Sequence, residues 1–256
     1  MAKLEIHQFP CLSDNFGVLI HDGAANVTAS IDAPDAATVA NALNDKGWRL
    51  THILTTHHHA DHTGGNLALK GETGCTIVGP RAEAAKIPGI DQAVGEGDSV
   101  RFGSFELRVL DTPGHTAGHI TYWCPAAGVA FAGDTLFAIG CGRVIEGNAK
   151  MMWQSLAKLM ALPQETEVYC GHEYTQANAR FALTIEPENE ALQRRAREVD
   201  RLRSSGQPTL PTTIGIELET NPFLRPHVPA IQKRLGMEGK PDWQIFGEIR
   251  ERKNRS

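Results

Sequence analysis

Histidine and aspartate residues cluster in one short stretch of the chain, in a pattern suited to holding metal ions. Five of the eleven histidines lie between His52 and His62, where the sequence reads T-H-H-H-A-D-H-T-G-G. Side chains two positions apart at the end of a strand share a face, so His57 and His59 can hold one ion. The loop that follows can swing Asp61 and His62 towards a second ion. Imidazole and carboxylate ligands together favour zinc, iron or manganese over calcium or magnesium.

Three further segments end a predicted strand on a residue that could join these ligands. The motifs D-T-P-G-H, G-D-T and G-H-E-Y place His115, Asp134 and His172 directly after such strands. Functional groups collected on loops at strand ends are what a metal-dependent hydrolase needs. A single histidine of this kind is more often structural, whereas the whole set of seven indicates a site for metal ions.

Two other histidines near these motifs are not predicted to be ligands. His58 alternates with the ligands and should point away from them. His119 lies four residues after His115. We favour a supporting or packing role for it, with metal ligation as the alternative.

Length and composition predict an ordinary soluble globular protein, and the length is sufficient for an enzyme. The chain has 256 residues, of which 41% are hydrophobic and 21% charged, and it contains no apolar run long enough to cross a membrane. Its first residues lack the continuous apolar core of a secretory signal, so we expect a cytoplasmic location. The five cysteines are an odd number without a C-x-x-C pair, which favours reduced thiols over disulfides.

Charge is distributed unevenly along the chain. The net charge is −5, but residues from 191 onward carry 13 Lys+Arg against 8 Asp+Glu, and residues 1–190 carry 12 against 22. This basic tail could receive a small anionic substrate, although solvated helix faces would explain most of its arginines equally simply. A negative total charge without arginines interleaved among aromatics argues against a nucleic-acid partner.

The surrounding sequence predicts strands mixed with helices, and no G-x-G-x-x-G loop follows a strand. This favours packed sheets with outer helices over a dinucleotide-binding fold. We place a domain boundary near Tyr174, which gives domains of 1–174 and 175–256. Apolar residues on one face, with the residues that bound each segment, predict helices at Asp35–Lys46, at Lys150–Ala161 and from about Asn189 to Arg203. Two glycines let the chain turn into a further helix starting near Asn66, and a last helix is expected from Asp242 to about Lys253. The predicted strands are Leu4–Phe9, Gly17–His21, Val27–Asp32, His52–Thr56, Cys75–Val78, Phe105–Leu110, Ile120–Cys124, Val129–Ala132 and Glu167–Cys170.

The motifs together resemble those of the metallo-β-lactamase superfamily and, within it, the glyoxalase II family of hydroxyacylglutathione hydrolases. The motifs typical of the superfamily are H-x-H-x-D-H at 57–62, P-G-H-T-x-G-H at 113–119, G-D-T-L-F at 133–137 and G-H-E-Y-T at 171–175. Those shared with glyoxalase II in particular are G-C-G-R-x-x-E-G at 140–147, G-H-E-Y-T, N-P-F-L-R at 221–225 and the helical tail.

The resemblance implies an α/β fold, an αββα sandwich followed by a smaller helical C-terminal domain. It also implies two divalent metal ions, with zinc expected and iron or manganese as alternatives. Asp134 would bridge the ions, and a hydroxide between them would be oriented by Asp61, which makes these two aspartates the predicted catalytic residues. The implied ligands of one ion are His57, His59 and His115, and those of the other are Asp61, His62 and His172.

The same resemblance implies hydrolysis of the thioester S-D-lactoylglutathione to D-lactate and glutathione, the second step of methylglyoxal detoxification. The residues expected to bind the substrate are Arg143, Tyr174, Arg250 and Lys253. For the last two, a frayed and solvated C-terminus is the alternative. Ile145 departs from the family, which carries an aromatic residue there. We expect a monomer with a small-molecule substrate and no nucleic-acid or membrane partner.

Other functions remain open at this stage. A lactonase or β-lactamase could use the same scaffold, and a mononuclear-iron persulfide dioxygenase would share H-x-H-x-D-H with fewer ligands. A non-catalytic binding protein would be expected to lack a ligand, and all seven positions are filled. The chain has no G-x-S-x-G motif and no cysteine in a nucleophile context, so covalent catalysis is disfavoured.

Overall fold

The computed structural model describes residues 3–256, which form two compact units. The first contains the chain up to Asp111 and the segment Thr116–Gly133, and the second contains Thr112–His115 and Asp134–Ser256. A short loop with His115 thus belongs to the second unit, although the chain on both sides of it belongs to the first. The division at residue 174, which follows the sequence motifs, stays a prediction.

A six-stranded sheet in the first unit brings the ends of its parallel strands to one edge. The order is β1-β2-β3-β4-β5-β6, antiparallel from β1 to β3 and parallel from β3 to β6. The backbone N–H of Asp32, after β3, donates to Leu54 at the end of β4 (3.0 Å). The strands are β1 (Leu4–Cys11), β2 (Asn15–Asp22), β3 (Val27–Ile31), β4 (His52–Leu54), β5 (Thr76–Pro80) and β6 (Gln92–Val94).

A second group of strands in this unit forms an antiparallel meander that contacts the first sheet. Its members are β7 (Ser99–Phe102), β8 (Phe105–Asp111), β9 (Ile120–Cys124) and β10 (Val129–Gly133). Tyr122 of β9 is fully buried, and its hydroxyl donates to the carbonyl of Thr55, just after β4 (3.0 Å). The eight strands predicted in this unit are confirmed, with shifts of up to two residues at some ends, whereas β6 and β7 are additional.

Two helices of the first unit begin where the sequence predicts them, whereas a short helix directly after His59 is additional. They are α1 (Ala36–Lys46), α2 (Ala60–Thr63) and α3 (Asn66–Thr73). The Asp35 carboxylate accepts the N–H of Thr38 (2.8 Å) at the start of α1, and Gly47 ends the helix with φ 66°. Val39 and Leu43 of α1 pack into one core with residues of β2, β4 and β5. Each such buried side chain contributes about 1.5–3 kcal/mol.

The second unit is mainly helical, and the three helices predicted here, together with the strand Glu167–Cys170, are confirmed to within about a residue. Among the described residues, no helix is both long and apolar enough to span a membrane. The elements are β11 (Leu136–Phe137), β12 (Gly140–Cys141), α4 (Ala149–Met160), β13 (Glu167–Cys170), α5 (Thr175–Ile185), α6 (Glu190–Ser204), β14 (Thr212–Thr213), α7 (Ile214–Thr220), α8 (Pro229–Leu235) and α9 (Asp242–Asn254). The pairs β11–β12 and β13–β14 are antiparallel.

Candidate metal centre and substrate cavity

The loop after β4 brings two imidazole rings together. His57 Nε2 lies 3.2 Å from His59 Nδ1, and His57 is fully buried. Two nitrogens bound to one tetrahedral zinc ion at 2.0–2.1 Å would be about 3.4 Å apart. The spacing therefore fits two ligands of a single ion.

His62 and Asp61 follow in the same loop, and each is held by a neighbouring polar side chain. His62 Nδ1 donates to Asp32 Oδ2 (2.7 Å), which leaves Nε2 as the ring nitrogen with a lone pair. This Nε2 lies 3.5 Å from Asp61 Oδ2. Asn15 donates to the same Asp61 oxygen (3.2 Å) and to the Asp61 carbonyl (3.1 Å). The contacts orient both side chains as a metal site requires.

Asp32 and Asn15 were not assigned to the site by sequence analysis. Asp32 also accepts the N–H and the hydroxyl of Thr56 (2.6 and 2.8 Å). The available signal was its position as a carboxylate at the end of the buried strand predicted at Val27–Asp32. Asn15 lies at the start of β2 and is 5% exposed, and nothing in its sequence neighbourhood points to Asp61.

Of the two histidines not predicted as ligands, His58 lies in this loop and His119 contacts it. His58 Nδ1 lies 2.9 Å from the buried carboxylate of Glu83, and His119 stacks on His57 with ring centroids 4.9 Å apart. Gly133 packs closely here, because a Cβ at this position would lie 2.6 Å from both His119 and Thr56, and its φ is 47°. Supporting roles for both histidines stay predictions.

In the second unit, two histidines flank one carboxylate oxygen. Asp134 Oδ2 lies 3.5 Å from His115 Nε2 and 3.2 Å from His172 Nε2, and all three residues are buried. His115 Nδ1 donates to the carbonyl of Arg143 (2.9 Å), so its Nε2 carries the lone pair. A carboxylate oxygen between two imidazole nitrogens is suited to bridging. Glycine is required at Gly142, where a Cβ would collide with the Asp134 carbonyl.

Histidine and aspartate groups of the described chain can thus hold metal ions. The donor set, neutral imidazoles with oriented carboxylates, suits a divalent transition metal. The structure places His57, His59, Asp61 and His62 close to one another in the first unit, and it brings His115, Asp134 and His172 together in the second. Which ion each residue binds stays a prediction.

The four residues expected to bind the substrate line one cavity of about 350 Å³ in the second unit. Phe137 and Cys141 of the β11–β12 hairpin line it as well, and the sequence analysis did not assign these two to the site. Tyr174 stacks on His172 with ring centroids 4.7 Å apart, so the cavity begins beside a predicted metal ligand. The expected substrate-binding residues are Arg143, Tyr174, Arg250 and Lys253.

Helix α9 anchors its two basic residues against the rest of this unit. Arg250 is 7% exposed, and it donates to the carbonyl of Cys141 (3.0 Å) with its guanidinium 5.2 Å above the ring of Phe223. Lys253 lies 5.4 Å above Phe181, and burial together with the charge of Arg250 lowers its pKa. Arg250 is therefore buried and Lys253 partly buried, in a helix that continues to Asn254. Ile145 is 55% exposed.

Cysteine chemistry is unavailable at neutral pH near these motifs. Burial raises the pKa of the Cys141 thiol to about 11 and that of Cys170 well above its usual range. Since the thiolate is the nucleophile, burial disfavours both thiols as nucleophiles near pH 7. This agrees with the prediction that catalysis is not covalent.

Two family models together cover most of the chain. Residues 28–172 match the model described as "Metallo-beta-lactamase superfamily", and residues 173–256 match "Hydroxyacylglutathione hydrolase C-terminus". The chain belongs to the metallo-β-lactamase superfamily, and this confirms the predicted fold class.

Comparison with similar proteins narrows the classification within the superfamily. The chain is 58% identical over 252 residues to a hydroxyacylglutathione hydrolase from Brucella anthropi, covering 98% of this chain and 97% of the relative, and equally identical to one from Brucella ovis, covering 98% of each. Within the superfamily, it belongs to the hydroxyacylglutathione hydrolase family. It is also similar to the crystal structure of ETHE1 from Myxococcus xanthus, with 30% identity, a TM-score of 0.69 and coverage of 96% and 90%.

Proposed function

We propose that the protein hydrolyses thioesters of glutathione with 2-hydroxy acids, S-D-lactoylglutathione being the expected substrate, to the free acid and glutathione. The observation that carries this is the cavity in which the anchored Arg250 and Lys253 join Arg143 and Tyr174 beside His172. Glutathione carries two carboxylates, and guanidinium and ammonium groups bind carboxylates through charge-assisted hydrogen bonds.

By resemblance to the family, we assign His57, His59 and His115 to one divalent ion and Asp61, His62 and His172 to another, with Asp134 shared. The orientation of the imidazoles within each unit supports this assignment. Bound divalent ions supply hydroxide from water at neutral pH and polarise the carbonyl of the substrate. We expect two zinc ions, with iron or manganese as alternatives.

Residues of the chain orient the proposed metal ligands and bind the substrate. Asn15 holds the Asp61 carboxylate, and the carbonyl of Arg143 fixes the ring of His115. The cavity binds the glutathione part through its cations, so that the thioester lies towards His172. The leaving group is the thiolate of a thiol with a pKa of about 8.5. It needs little protonation, so no side-chain acid is required.

The experiment is steady-state loss of thioester absorbance with S-D-lactoylglutathione, before and after chelation, with metal content determined on the same sample. We expect rapid, chelator-sensitive turnover and about two metal ions per chain. Absence of turnover by fully metallated protein would contradict the proposal. Turnover of lactones or β-lactams, or oxygen uptake on glutathione persulfide, would then identify the alternative.

We further propose a cytoplasmic monomer. The five cysteines are all free in the structure, and they suit a reducing compartment. The mass measured by light scattering at working concentration tests the monomer, and fractionation of the source cells tests the location.

A further inference from the structure

The hairpin formed by β11 and β12 supplies one wall of the cavity proposed to bind the substrate. Phe137 and Cys141 line the cavity, and the Cys141 carbonyl accepts the hydrogen bond that anchors Arg250. The ring of Phe137 also lies edge-on to Tyr174, with centroids 5.4 Å apart. The conformation of the hairpin therefore determines where two of the expected substrate contacts lie.

The turn of this hairpin has a backbone conformation that needs support. Ile139 has φ 55°, in the left-handed region that β-branched residues rarely adopt. Such a conformation persists only where the surrounding structure fixes it. The Ile139 side chain is fully buried in a core formed with α5 and α6, which holds one side of the turn.

Glu217 of α7 holds the other side. Its buried carboxylate accepts the N–H of Ile139 at Oε2 (2.7 Å) and the hydroxyl of Thr212 at Oε1 (2.7 Å). Asn221 donates to Glu217 Oε2 and to the carbonyl of Gly140, both at 2.9 Å. The Glu217–Asn221 pair thus contacts the backbone on both sides of the peptide bond between Ile139 and Gly140.

A carboxylate in this position is not required for simple packing. Burial of an ionisable group is unfavourable unless hydrogen-bond donors compensate for the lost hydration. Among the described residues, the one charge found to stabilise the Glu217 carboxylate is that of Arg195. An apolar side chain would fill the same space but would leave the N–H of Ile139 without its acceptor. The donors that converge on Glu217 come mostly from the hairpin and from the residue that bridges to it.

We propose that Glu217 is a positioning residue, which acts with Asn221 to hold the β11–β12 hairpin in the conformation that admits the glutathione part of the substrate. The inference rests on the proposed function for the identity of the ligand. The restraint on the hairpin can be tested without it.

The test compares Glu217→Ala, Glu217→Gln and the matched control Glu219→Gln, an exposed glutamate on the same helix. We expect Glu217→Ala to speed amide exchange across residues 136–141 and to raise KM for S-D-lactoylglutathione roughly tenfold, with kcat changed much less. A carboxamide oxygen can still accept the N–H of Ile139. In Glu217→Gln, both the amide exchange rate and KM should therefore lie within about twofold of the wild-type values. The control should match the wild type.

Wild-type exchange in Glu217→Ala would overturn the proposal, and so would faster exchange with an unchanged KM. A loss confined to kcat would also overturn it, because that would place Glu217 in the chemical step. If Glu217→Ala does not fold, Asn221→Ala removes the donor to Gly140 at the other end of the pair, and the same two outcomes decide.

Failure of the proposed function gives a different result. The wild-type protein would then show no thioester turnover, and binding of glutathione itself, measured by calorimetry, replaces KM. Weaker glutathione binding by Glu217→Ala than by Glu217→Gln would support the positioning role even so. Equal binding by both variants would overturn it.

Discussion

Asp32 shows how a carboxylate outside the proposed ligand set can orient a proposed metal ligand. It accepts from His62 Nδ1 and from the N–H and hydroxyl of Thr56, so it fixes both the orientation and the tautomer of the imidazole. Partners of this kind typically change metal affinity by about 10–100-fold when they are replaced. Metal affinity at the proposed site therefore depends both on the residues proposed to bind the ion and on the residues that orient those ligands.

We expect Asp32→Asn to lower metal affinity by about 10–100-fold, because a carboxamide accepts the histidine proton less strongly. Competition with a chromophoric chelator measures the affinity, and activity at limiting metal should fall in parallel. Asp45→Asn, on the exposed face of α1, is the control. Equal affinities in wild type and Asp32→Asn would show that Asp32 does not orient the ligand.

Glu217 predicts a pH dependence of stability. Burial raises its pKa from 4.5 to about 7, and the donors Thr212 and Asn221 only partly oppose this. A raised folded pKa favours the neutral form, so the stabilisation is complete below about pH 4.5 and is lost as the pH rises through about 7. Relative to wild type, Glu217→Gln should gain about 1 kcal/mol of unfolding free energy between about pH 6 and pH 8. Urea titrations at both values test this, and a pH-independent difference would contradict it.

For individual residues, the sequence predicted candidate ligands that follow a recognisable spacing, but it did not predict the residues that support them. His57 and His59 were found because alternate residues at a strand end share a face. Asp32 and Glu217 act on residues 30 and 78 positions away, respectively, and no local pattern encodes such pairs. Within G-I-E-L-E-T, Glu217 and the exposed Glu219 are indistinguishable by sequence alone.

Among the elements, helix α9 gives the most direct test of the cavity. Removing the charge of Arg250 or Lys253 should weaken charge-assisted binding of a carboxylate, which contributes about 1.5–3 kcal/mol. We therefore expect Arg250→Met and Lys253→Met each to raise KM by about tenfold or more while kcat changes little. Arg255→Met, at an exposed residue directly after this helix, serves as control. An unchanged KM in both variants would exclude this cavity as the glutathione site.

Elements were predictable where they were long enough to show a period. The helices α1, α4, α6 and α9 each present several apolar residues on one face, and the first three begin at a capping Asp or Asn. Two-residue strands such as β11, β12 and β14 have no period to detect. The hairpin at the cavity was therefore invisible in the sequence, although G-C-G-R-x-x-E-G marked its region as functional.

For the whole molecule, the separation of charge predicts a salt effect. We expect the excess positive charge of the C-terminal part to attract an anionic substrate, and salt screens such attraction over about 10 Å at 0.1 M. We expect KM for the glutathione thioester to rise with salt, and to rise less in Arg250→Met. Identical salt dependence in both proteins would show that Arg250 does not contribute to this attraction.

The overall architecture followed from the motifs more than from composition. Strands mixed with helices predicted packed sheets, and the resemblance supplied the superfamily that the comparisons confirm. The two compact units could not be predicted in the same way, because Thr112–His115 packs with chain that follows it by at least 19 residues. Compactness depends on contacts between distant segments, which a single sequence does not display.

The hydrogen bond from Arg250 to Cys141 has a consequence for synthesis of the protein. The ribosome adds Cys141 to the chain 109 residues before Arg250. At ordinary elongation rates this separation corresponds to roughly 5 to 20 seconds. Throughout that interval the nascent hairpin lacks this restraint, and Arg250 and Lys253 have not been added. A ribosome-bound chain can therefore fold its strands early, yet it acquires the complete cavity only after α9 has emerged.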